Sequence, residues 1–375
     1  MRINKLDGLR GVFSLLVVLY HFSPVLLSQQ VHDYFFIRQS RCFVDFFFVL
    51  SGYVIAVNYD NAIDNIHLFF TYVKKRCIRL YPLLLYTTLV VLFYEIIYNN
   101  FLLQYVKVEN QSPTSHLFIR TLDTLLFTNA TPILGSDFGM NLPAWSISSE
   151  MISYIVFGIG SLYAVGKRKN ILFLLIVIGC IAFSIYHQQY FFTSSFGFVR
   201  GLICFSLGYF VFKFSSYSFS LNKNMELLIP FILLAIFYQL NTYPIGAKRE
   251  LFGLFSIPLF FAIAILVLLK TNGRLSQFLE TKPLQFLGKI SYSIYLNHSI
   301  VIYIFPDFVF LVLKKLNLNR TPFTNTVTLL ITFLLIIIYS KYTQQLIEKK
   351  GGKLLERFLI KQPPVVNKSF EPLVF

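Results

Sequence analysis

Charged residues are scarce in this chain. They make up 13% of its 375 residues, about half the share usual in soluble domains, and 17 acidic residues stand against 33 basic ones. So few charges do not suit the surface of a soluble globular protein. Hydrophobic residues make up 56% and aromatic residues 18%, and the mean hydropathy is +0.65. This composition predicts a polytopic membrane protein whose helices turn apolar faces to lipid.

Cysteine is also scarce, and the four cysteines form no C-x-x-C pair. They lie in or beside apolar runs, so the sequence indicates neither a metal site nor a disulfide framework. The net charge of +16 would suit a nucleic-acid partner, but the basic residues gather in short loops between apolar runs. That placement is typical of topology signals and of contacts with anionic lipid. We therefore expect a lipid bilayer as a partner and no nucleic acid.

The apolar runs predict an all-α fold, with about ten transmembrane helices in one bundle. The weaker stretch 117–134 is predicted to be a re-entrant or interfacial segment on the outer side. Most Lys and Arg residues fall in alternate loops on the side of the N-terminus, so the positive-inside rule places both termini in the cytoplasm. We expect a transmembrane domain over 1–349 and a loosely ordered cytoplasmic tail over 350–375. The predicted spans lie near 11–27, 42–58, 80–98, 142–165, 171–186, 191–212, 226–241, 251–269, 290–312 and 323–347.

Two ionisable residues lie on the first predicted span. Arg10 and His21 are separated by ten residues, and those ten are apolar or small apart from Tyr20. Eleven steps of about 100° make about three turns, so both side chains share one face, roughly 16 Å apart along the axis. An ionisable side chain within a membrane is costly and marks a functional site by default. The pair therefore indicates chemistry within the membrane.

Asp45 lies early in the second predicted span. If that helix runs from outside to inside, Asp45 and His21 lie at similar depth. A carboxylate beside an imidazole fixes its tautomer and raises its basicity, as a general base requires. The alternative is that Asp45 begins its helix at the interface and is satisfied by backbone amides. The later Ser51-Gly52 pair is typical of close helix packing.

A basic cluster precedes the third predicted span and contains Lys75, Arg76 and Arg79. The two arginines are three residues apart, so their guanidinium groups share one helix face and are able to bind phosphates bidentately. The pyrophosphate and 3′-phosphate of a coenzyme A would suit such a site. The alternative is an ordinary cluster of topology signals.

The fourth predicted span begins with Trp145, Ser146 and, about five residues deeper, Glu150. Trp145 is the single tryptophan of the chain, and alone it would be an interface anchor. A carboxylate at the depth of Glu150 needs a basic partner or stays protonated. We expect Arg200 to be able to supply that charge.

A polar stripe lies on the ninth predicted span. Ser291, Tyr295 and His298 fall at i, i+4 and i+7, which places them on one helix face. A lone histidine in such a stripe is more often a hydrogen-bonded helix contact than a catalyst. Glu348, beside Lys349 and Lys350, is expected to be an exposed acid at the interface.

Five segments, in this order, resemble the acyltransferase-3 family of bacterial integral-membrane O-acyltransferases. Leu6-Asp7-Gly8-Leu9-Arg10 with His21 is similar to the family's opening Arg-x10-His signature. Each of the others resembles a later family motif, although Phe43 and Asn297 replace the residues usual there. These segments are Val44–Gly52, Arg76-x-x-Arg79-x-x-Pro82, Pro143-x-Trp145-Ser146-x-x-x-Glu150 and Gly288-x-Ile290-Ser291-Tyr292-Ser293-x-Tyr295-Leu296-x-His298.

The resemblance implies an enzyme of a bacterial cytoplasmic (inner) membrane. Such an enzyme transfers an acyl group, most often acetyl, from cytoplasmic acyl-CoA to a hydroxyl of a cell-surface or exported carbohydrate or glycolipid. Acyl-CoA would be a co-substrate, with no tightly bound cofactor and no metal. Carried over by position, Arg10 and His21 would be the essential pair, with Asp45, Arg76, Arg79 and Glu150 supporting. We therefore predict four catalytic residues, His21, Arg10, Asp45 and Glu150. The residues predicted to bind substrate or acyl-CoA are Lys75, Arg76, Arg79, Trp145, Ser146, Tyr295 and His298.

Two other functions remain open on the sequence. In a glycan or lipid transporter, the buried ionisable residues would line a permeation path, but the paired broken spans of such proteins are not visible here. In a structural protein of an envelope-polysaccharide assembly they would do no chemistry. Burying several ionisable groups argues against that role, because each costs at least about 2.5 kcal/mol at mid-membrane unless it is paired.

Overall fold

The computed structural model describes residues 3–22, 26–98, 114–134 and 139–360, and within those ranges the chain forms helices and turns without a β-strand. This confirms the predicted all-α fold. Short 3₁₀ turns occur at Ser40–Cys42 and Lys223–Leu227, and a π-helical turn occurs at Gln344–Lys349. The α-helices are α1 (Asn4–His21), α2 (Gln29–His32), α3 (Phe35–Gln39), α4 (Phe43–Tyr59), α5 (Ile66–Ile97), α6 (Thr114–Leu125), α7 (Ala144–Tyr163), α8 (Lys167–Tyr186), α9 (Gly197–Ser215), α10 (Leu228–Thr242), α11 (Ala247–Lys270), α12 (Arg274–Leu279), α13 (Lys282–Lys315), α14 (Pro322–Thr343) and α15 (Lys350–Leu359).

In the described part of the chain, eight helical stretches are long and apolar enough to cross a membrane. They coincide with eight of the ten predicted spans. The other two predicted spans correspond to α1 and α7, which form as helices of 18 and 20 residues. Both are more polar than the rest, because α1 carries three charged residues and α7 carries five serines. Ten spans and cytoplasmic termini therefore stay predictions.

The weak stretch at 117–134 contains the short helix α6 and turns. Helix α6 has 12 residues, too few to cross a hydrocarbon core, which requires about 20. Helix α6 packs against α5 and α7. The prediction that this segment does not cross the membrane is therefore confirmed. The side of the membrane on which it lies stays a prediction.

Several predicted boundaries differ from the observed helix ends, and two of these differences matter for the site. Helix α1 ends at His21, and the next residue, Phe22, is extended with ψ 134°, so the helix does not continue to residue 27. In the sequence, Pro24 stands two positions after the capping residue Phe22, where proline is common because it cannot continue a helix. Helix α5 begins at Ile66, well before residue 80. The basic cluster therefore lies within a helix rather than in a loop.

The expected loosely ordered tail is also wrong in its first part. Residues Lys350–Leu359 form the amphipathic helix α15, which packs against α5. The rest of the predicted tail, 361–375, lies outside the described residues. Gly352, Lys353 and Glu356 of α15 line the edge of a cavity in the bundle, where Lys353 and Glu356 are exposed, while Phe358 on the other face is 76% exposed. This short helix thus joins an internal surface to an exterior apolar one.

Two close helix pairs form the centre of the bundle: α1 packs along α13, and α4 packs along α9. Glycine permits both approaches. A Cβ atom at Gly288 of α13 would lie 2.1 Å from the carbonyl oxygen of Asp7, and one at Gly52 of α4 would lie 2.0 Å from that of Phe205. Any side chain at these positions would force the helices apart. The packing role expected for Ser51-Gly52 is confirmed for Gly52.

Candidate functional site

A cavity of about 680 Å³ lies among α1, α4, α5, α7, α13 and α15. Its walls are largely apolar, with charged groups concentrated at particular points, as in many small-molecule sites. Six basic side chains line it against four acidic ones, so its interior favours an anion. The basic residues are Arg10, Lys75, Arg76, Arg79, Lys349 and Lys353.

The two arginines of the basic cluster have different surroundings. Arg79 forms an ion pair with Glu348 of the π-helical turn, and the ring of Tyr292 lies 4.9 Å from its guanidinium carbon. Glu348 also accepts a hydrogen bond from Ser293 at 2.9 Å. The prediction that Glu348 is an exposed interface acid is therefore wrong, because the chain continues through the π-helical turn into α15 and places this carboxylate in the cavity wall.

Arg76 makes no ion pair with any described residue. Its guanidinium donates a hydrogen bond of 3.3 Å to the hydroxyl of Tyr59 and lies 5.4 Å and 5.8 Å from the ring centres of Tyr59 and Tyr154. Aromatic faces stabilise a cation without neutralising it. Lys75 and Lys353 are exposed beside it at the cavity edge. We call this edge, with Lys75, Arg76, Lys349 and Lys353, the basic mouth.

Arg10 lines the same cavity and is partly buried. Its guanidinium lies 3.4 Å from the carboxylate of Asp7, one turn earlier on α1. Ion pairs of this spacing within a helix are weak. Arg10 therefore keeps most of its capacity to bind an anion in the cavity.

Glu150 lies in the cavity wall and accepts hydrogen bonds from two hydroxyl groups. Ser51 of α4 donates at 2.5 Å, and Tyr154, one turn further along α7, also donates. The expectation that Arg200 would neutralise Glu150 is wrong, since Arg200 is paired elsewhere. Ser51 thus donates a hydrogen bond to Glu150, whereas the sequence indicated only a role in helix packing.

Asp45 and Arg200 form a buried ion pair outside the cavity lining. Both carboxylate oxygens of Asp45 accept from the guanidinium, at 2.8 Å and 2.6 Å, and the Tyr190 hydroxyl donates to one of them at 2.6 Å. The two charged side chains are 0% and 2% exposed. The expectation that Asp45 would hold the imidazole of His21 is therefore wrong, because Arg200 and Tyr190 occupy its carboxylate. The interface-start alternative is also excluded by this burial.

Trp145 is buried and packs against Arg200, with 5.5 Å between its ring and the guanidinium carbon. It is not among the residues that line the cavity. Its burial does not fit an interface anchor, and its predicted contact with substrate stays a prediction. Its neighbour Ser146 does line the cavity, and its hydroxyl lies 2.8 Å from that of Tyr295.

His21 and His298 lie side by side and are not among the residues that line the cavity. Their ring centres are 4.9 Å apart, His21 is partly buried at the last residue of α1, and His298 is buried on α13. His298 lies one turn beyond Tyr295, whose ring is 5.9 Å away and lines the cavity. The α1–α13 pair thus brings together two histidines that are distant in sequence.

A family model described as an acyltransferase domain matches residues 3–341. The chain belongs to the acyltransferase 3 family. This confirms the resemblance seen in its motifs, and the apolar helices make this member of the family a multi-pass membrane protein.

The family assignment is accompanied by more specific similarities. The chain is 25% identical over 371 residues to proteins named O-acetyltransferase OatA from Staphylococcus aureus strains NCTC 8325, COL and MRSA252. The similarity covers 93% of this chain but 57% of each relative. The chain therefore spans less than two thirds of the length of the curated relatives it matches. No solved structure matches it significantly.

Several residues of the site were not singled out by sequence reasoning. Tyr190 and Cys204 contact Asp45, and Tyr154 donates to Glu150. Tyr154 carried a signal, because it lies four residues after an acid on a helix and therefore shares its face. Tyr190 carried none, since it lies between helices and reaches Asp45 only through the tertiary fold.

Proposed function

We propose that this protein transfers an acyl group, most often acetyl, from cytoplasmic acyl-CoA to a hydroxyl of a cell-surface or exported carbohydrate or glycolipid. One observation carries the proposal: a single cavity extends from the basic mouth to Tyr295, one helical turn from the paired rings of His21 and His298. An anionic donor fits the basic mouth, and the candidate general base, His21, lies beside His298, one helical turn beyond Tyr295 and outside the cavity lining. The similarity to proteins named O-acetyltransferase supports acetyl as the group transferred.

The geometry suggests how the donor would lie. Arg76, Lys75 and Lys353 would bind the phosphates of the coenzyme, and the pantetheine arm would extend along the largely apolar wall. Arg10 lies further inside, and His21 lies about 16 Å beyond it along α1. Cationic groups are the usual partners of phosphate oxygens. The thioester would thus approach the histidines while the phosphates stay at the mouth.

The chemical step would be base-catalysed acyl transfer. His21 takes the proton of the acceptor hydroxyl, and the hydroxyl oxygen forms a bond with the thioester carbonyl carbon. The bond between that carbon and sulfur breaks, and the leaving thiolate takes the proton from the imidazolium. Glu150, with the hydroxyls of Ser51 and Tyr154, lies in the wall beside this path. Its proposed role is to order polar groups around the donor.

The experiment compares acylation and donor binding in the same protein. Cells that lack the gene receive the wild type or His21→Ala, and proton NMR measures ester groups on their surface polysaccharide. Calorimetry with the purified variant in nanodiscs measures the affinity for CoA. We expect His21→Ala to abolish acylation and to retain CoA binding within about threefold. Unchanged acylation in His21→Ala would contradict the assigned base, and loss of glycan export with intact acylation would support a transporter instead.

A further inference from the structure

The second histidine of the site has a defined protonation pattern. His298 Nδ1 lies 2.7 Å from the backbone carbonyl oxygen of Tyr295, one turn earlier on α13. A carbonyl oxygen only accepts, so Nδ1 must carry the proton. In a neutral imidazole, Nε2 is then an acceptor with a free lone pair. The backbone of α13 thus fixes the tautomer of His298.

The Nε2 atom of His298 is buried, and no hydrogen-bond donor among the described residues reaches it. A buried acceptor without a donor is costly, about 1–3 kcal/mol, and such atoms in native proteins call for an explanation. The His298 side chain is 0% exposed. The ring that lies beside it is that of His21, with a centre-to-centre distance of 4.9 Å and an interplanar angle of 35°.

We propose that His298 is a positioning residue for His21. In the structure the two rings lie side by side without a hydrogen bond between them, and a small rotation of the His21 ring would let its N–H donate to Nε2 of His298. This bond selects the His21 tautomer whose other nitrogen is unprotonated. That nitrogen is the one that takes the proton from the acceptor hydroxyl. The order of groups is therefore the Tyr295 carbonyl, His298, His21 and the substrate. This inference rests on the proposed function, because it assigns a role in the same transfer reaction.

The arrangement replaces the carboxylate that sequence reasoning expected beside His21. Asp45 is committed to Arg200, so a different acceptor must orient the imidazole. A neutral imidazole is a weaker acceptor than a carboxylate, but burying it carries no cost of an added charge. Helices α1 and α13, whose close approach Gly288 permits near Asp7, carry the two rings that lie side by side.

Two substitutions separate a positioning role from a merely structural one. In His298→Asn, the side-chain amide nitrogen stands near the place of Nδ1 and preserves the bond to Tyr295, but nothing stands in the place of Nε2. In His298→Gln, the longer amide places an oxygen acceptor near Nε2 and gives up the bond to Tyr295. We expect Asn to lower kcat about 10- to 100-fold with an unchanged KM for acyl-CoA, the usual loss for an orienting partner, and Gln to restore most of it.

Near-wild-type kcat in His298→Asn would overturn the proposal. Equal losses in both variants, with protein yield and CoA affinity unchanged, would also overturn it, because an acceptor at Nε2 would then not suffice. A raised KM with unchanged kcat would indicate contact with the donor instead. Each of these outcomes is measured against His21→Ala, which reports on the proposed function separately.

A second readout does not depend on transfer. The chain contains six histidines, so protein labelled with ¹⁵N-histidine gives few signals, which the His21 and His298 variants assign. We expect His298 to be protonated at Nδ1 and His21 to hold one tautomer in the wild type and in His298→Gln, but a mixture in His298→Asn. One His21 tautomer in all three proteins would overturn the positioning role even if no acylation were detected.

Discussion

Glu348, on the π-helical turn after α14, forms an ion pair with Arg79 in the middle of α5. Ser293 of α13 donates to the same carboxylate at 2.9 Å. Three parts of the chain that are far apart in sequence therefore meet at one buried acid, whose side chain is 7% exposed. This pair closes the cavity wall and leaves Arg76 as the unneutralised arginine of the cluster.

We expect Arg79→Met to destabilise the protein, because it leaves the Glu348 carboxylate buried without a cation. Breaking a buried pair costs about 3–5 kcal/mol, and the lower end applies here since Arg79 is 26% exposed. The double variant Arg79→Met/Glu348→Leu removes both charges and should recover most of the loss. Thermal unfolding in detergent measures this. A double variant as unstable as the single one would contradict the pairing.

Arg76 should act on binding rather than on stability. Arg76→Gln removes an unpaired cation from the basic mouth, and a hydrogen bond to a charged group contributes about 1.5–3 kcal/mol, so the Kd for CoA should rise about tenfold or more. Arg168→Gln is the matched control, because that arginine is exposed on α8 and does not line the cavity. Calorimetry measures the Kd for CoA of both variants. Equal Kd values in Arg76→Gln and Arg168→Gln would contradict phosphate binding at Arg76.

The fold could be predicted from the sequence because long apolar runs identify membrane helices. The sequence also predicted that Arg10, Arg76, Arg79 and Glu150 belong to one site. All four line the same cavity. The sequence did not predict their partners. Which cation meets which carboxylate depends on the packing of distant helices, as when Asp45 meets Arg200, 155 residues later.

Helix boundaries explain the remaining differences. A basic cluster of four residues between 74 and 79 looks like the end of a span, but α5 continues through it, because Lys and Arg are good helix formers whose stems pack along apolar surface. Where a helix ends decides whether a nearby side chain is directed into the bundle or away from it. Glu348 was assigned outward because the span was expected to end there, whereas the chain turns into α15.

The Asp45–Arg200 pair is expected to support the fold rather than the reaction. Asp45→Asn leaves a buried guanidinium without its counter-charge, which costs about 3–5 kcal/mol. The thermal midpoint should therefore fall, and kcat per folded molecule should change less than about threefold. Measuring activity at low temperature, where the variant stays folded, separates the two effects. A large loss of kcat with unchanged stability would restore the direct role first expected for Asp45.

Gly288→Ala should damage the site through the helix crossing. The added Cβ would lie 2.1 Å from the carbonyl oxygen of Asp7, so α1 and α13 would have to separate and the two histidines with them. Gly179→Ala on α8 is the matched control, because nothing lies within 4 Å of its Cβ position and alanine favours helix by about 1 kcal/mol. We expect the first to lower stability and acylation and the second to preserve both. Equal effects on thermal unfolding would contradict the tight crossing.

Helix α15 offers the clearest test of where the donor enters. Lys353 lines the basic mouth, whereas Arg357 on the same exposed helix does not. Lys353→Glu and Arg357→Glu change the net charge equally, so any difference between them reports on position. We expect Lys353→Glu to raise the KM for acyl-CoA about tenfold at low salt, with a smaller effect at high salt because exposed charges are screened. Equal changes in both variants would indicate that only the overall charge of this surface matters and that the donor phosphates bind elsewhere.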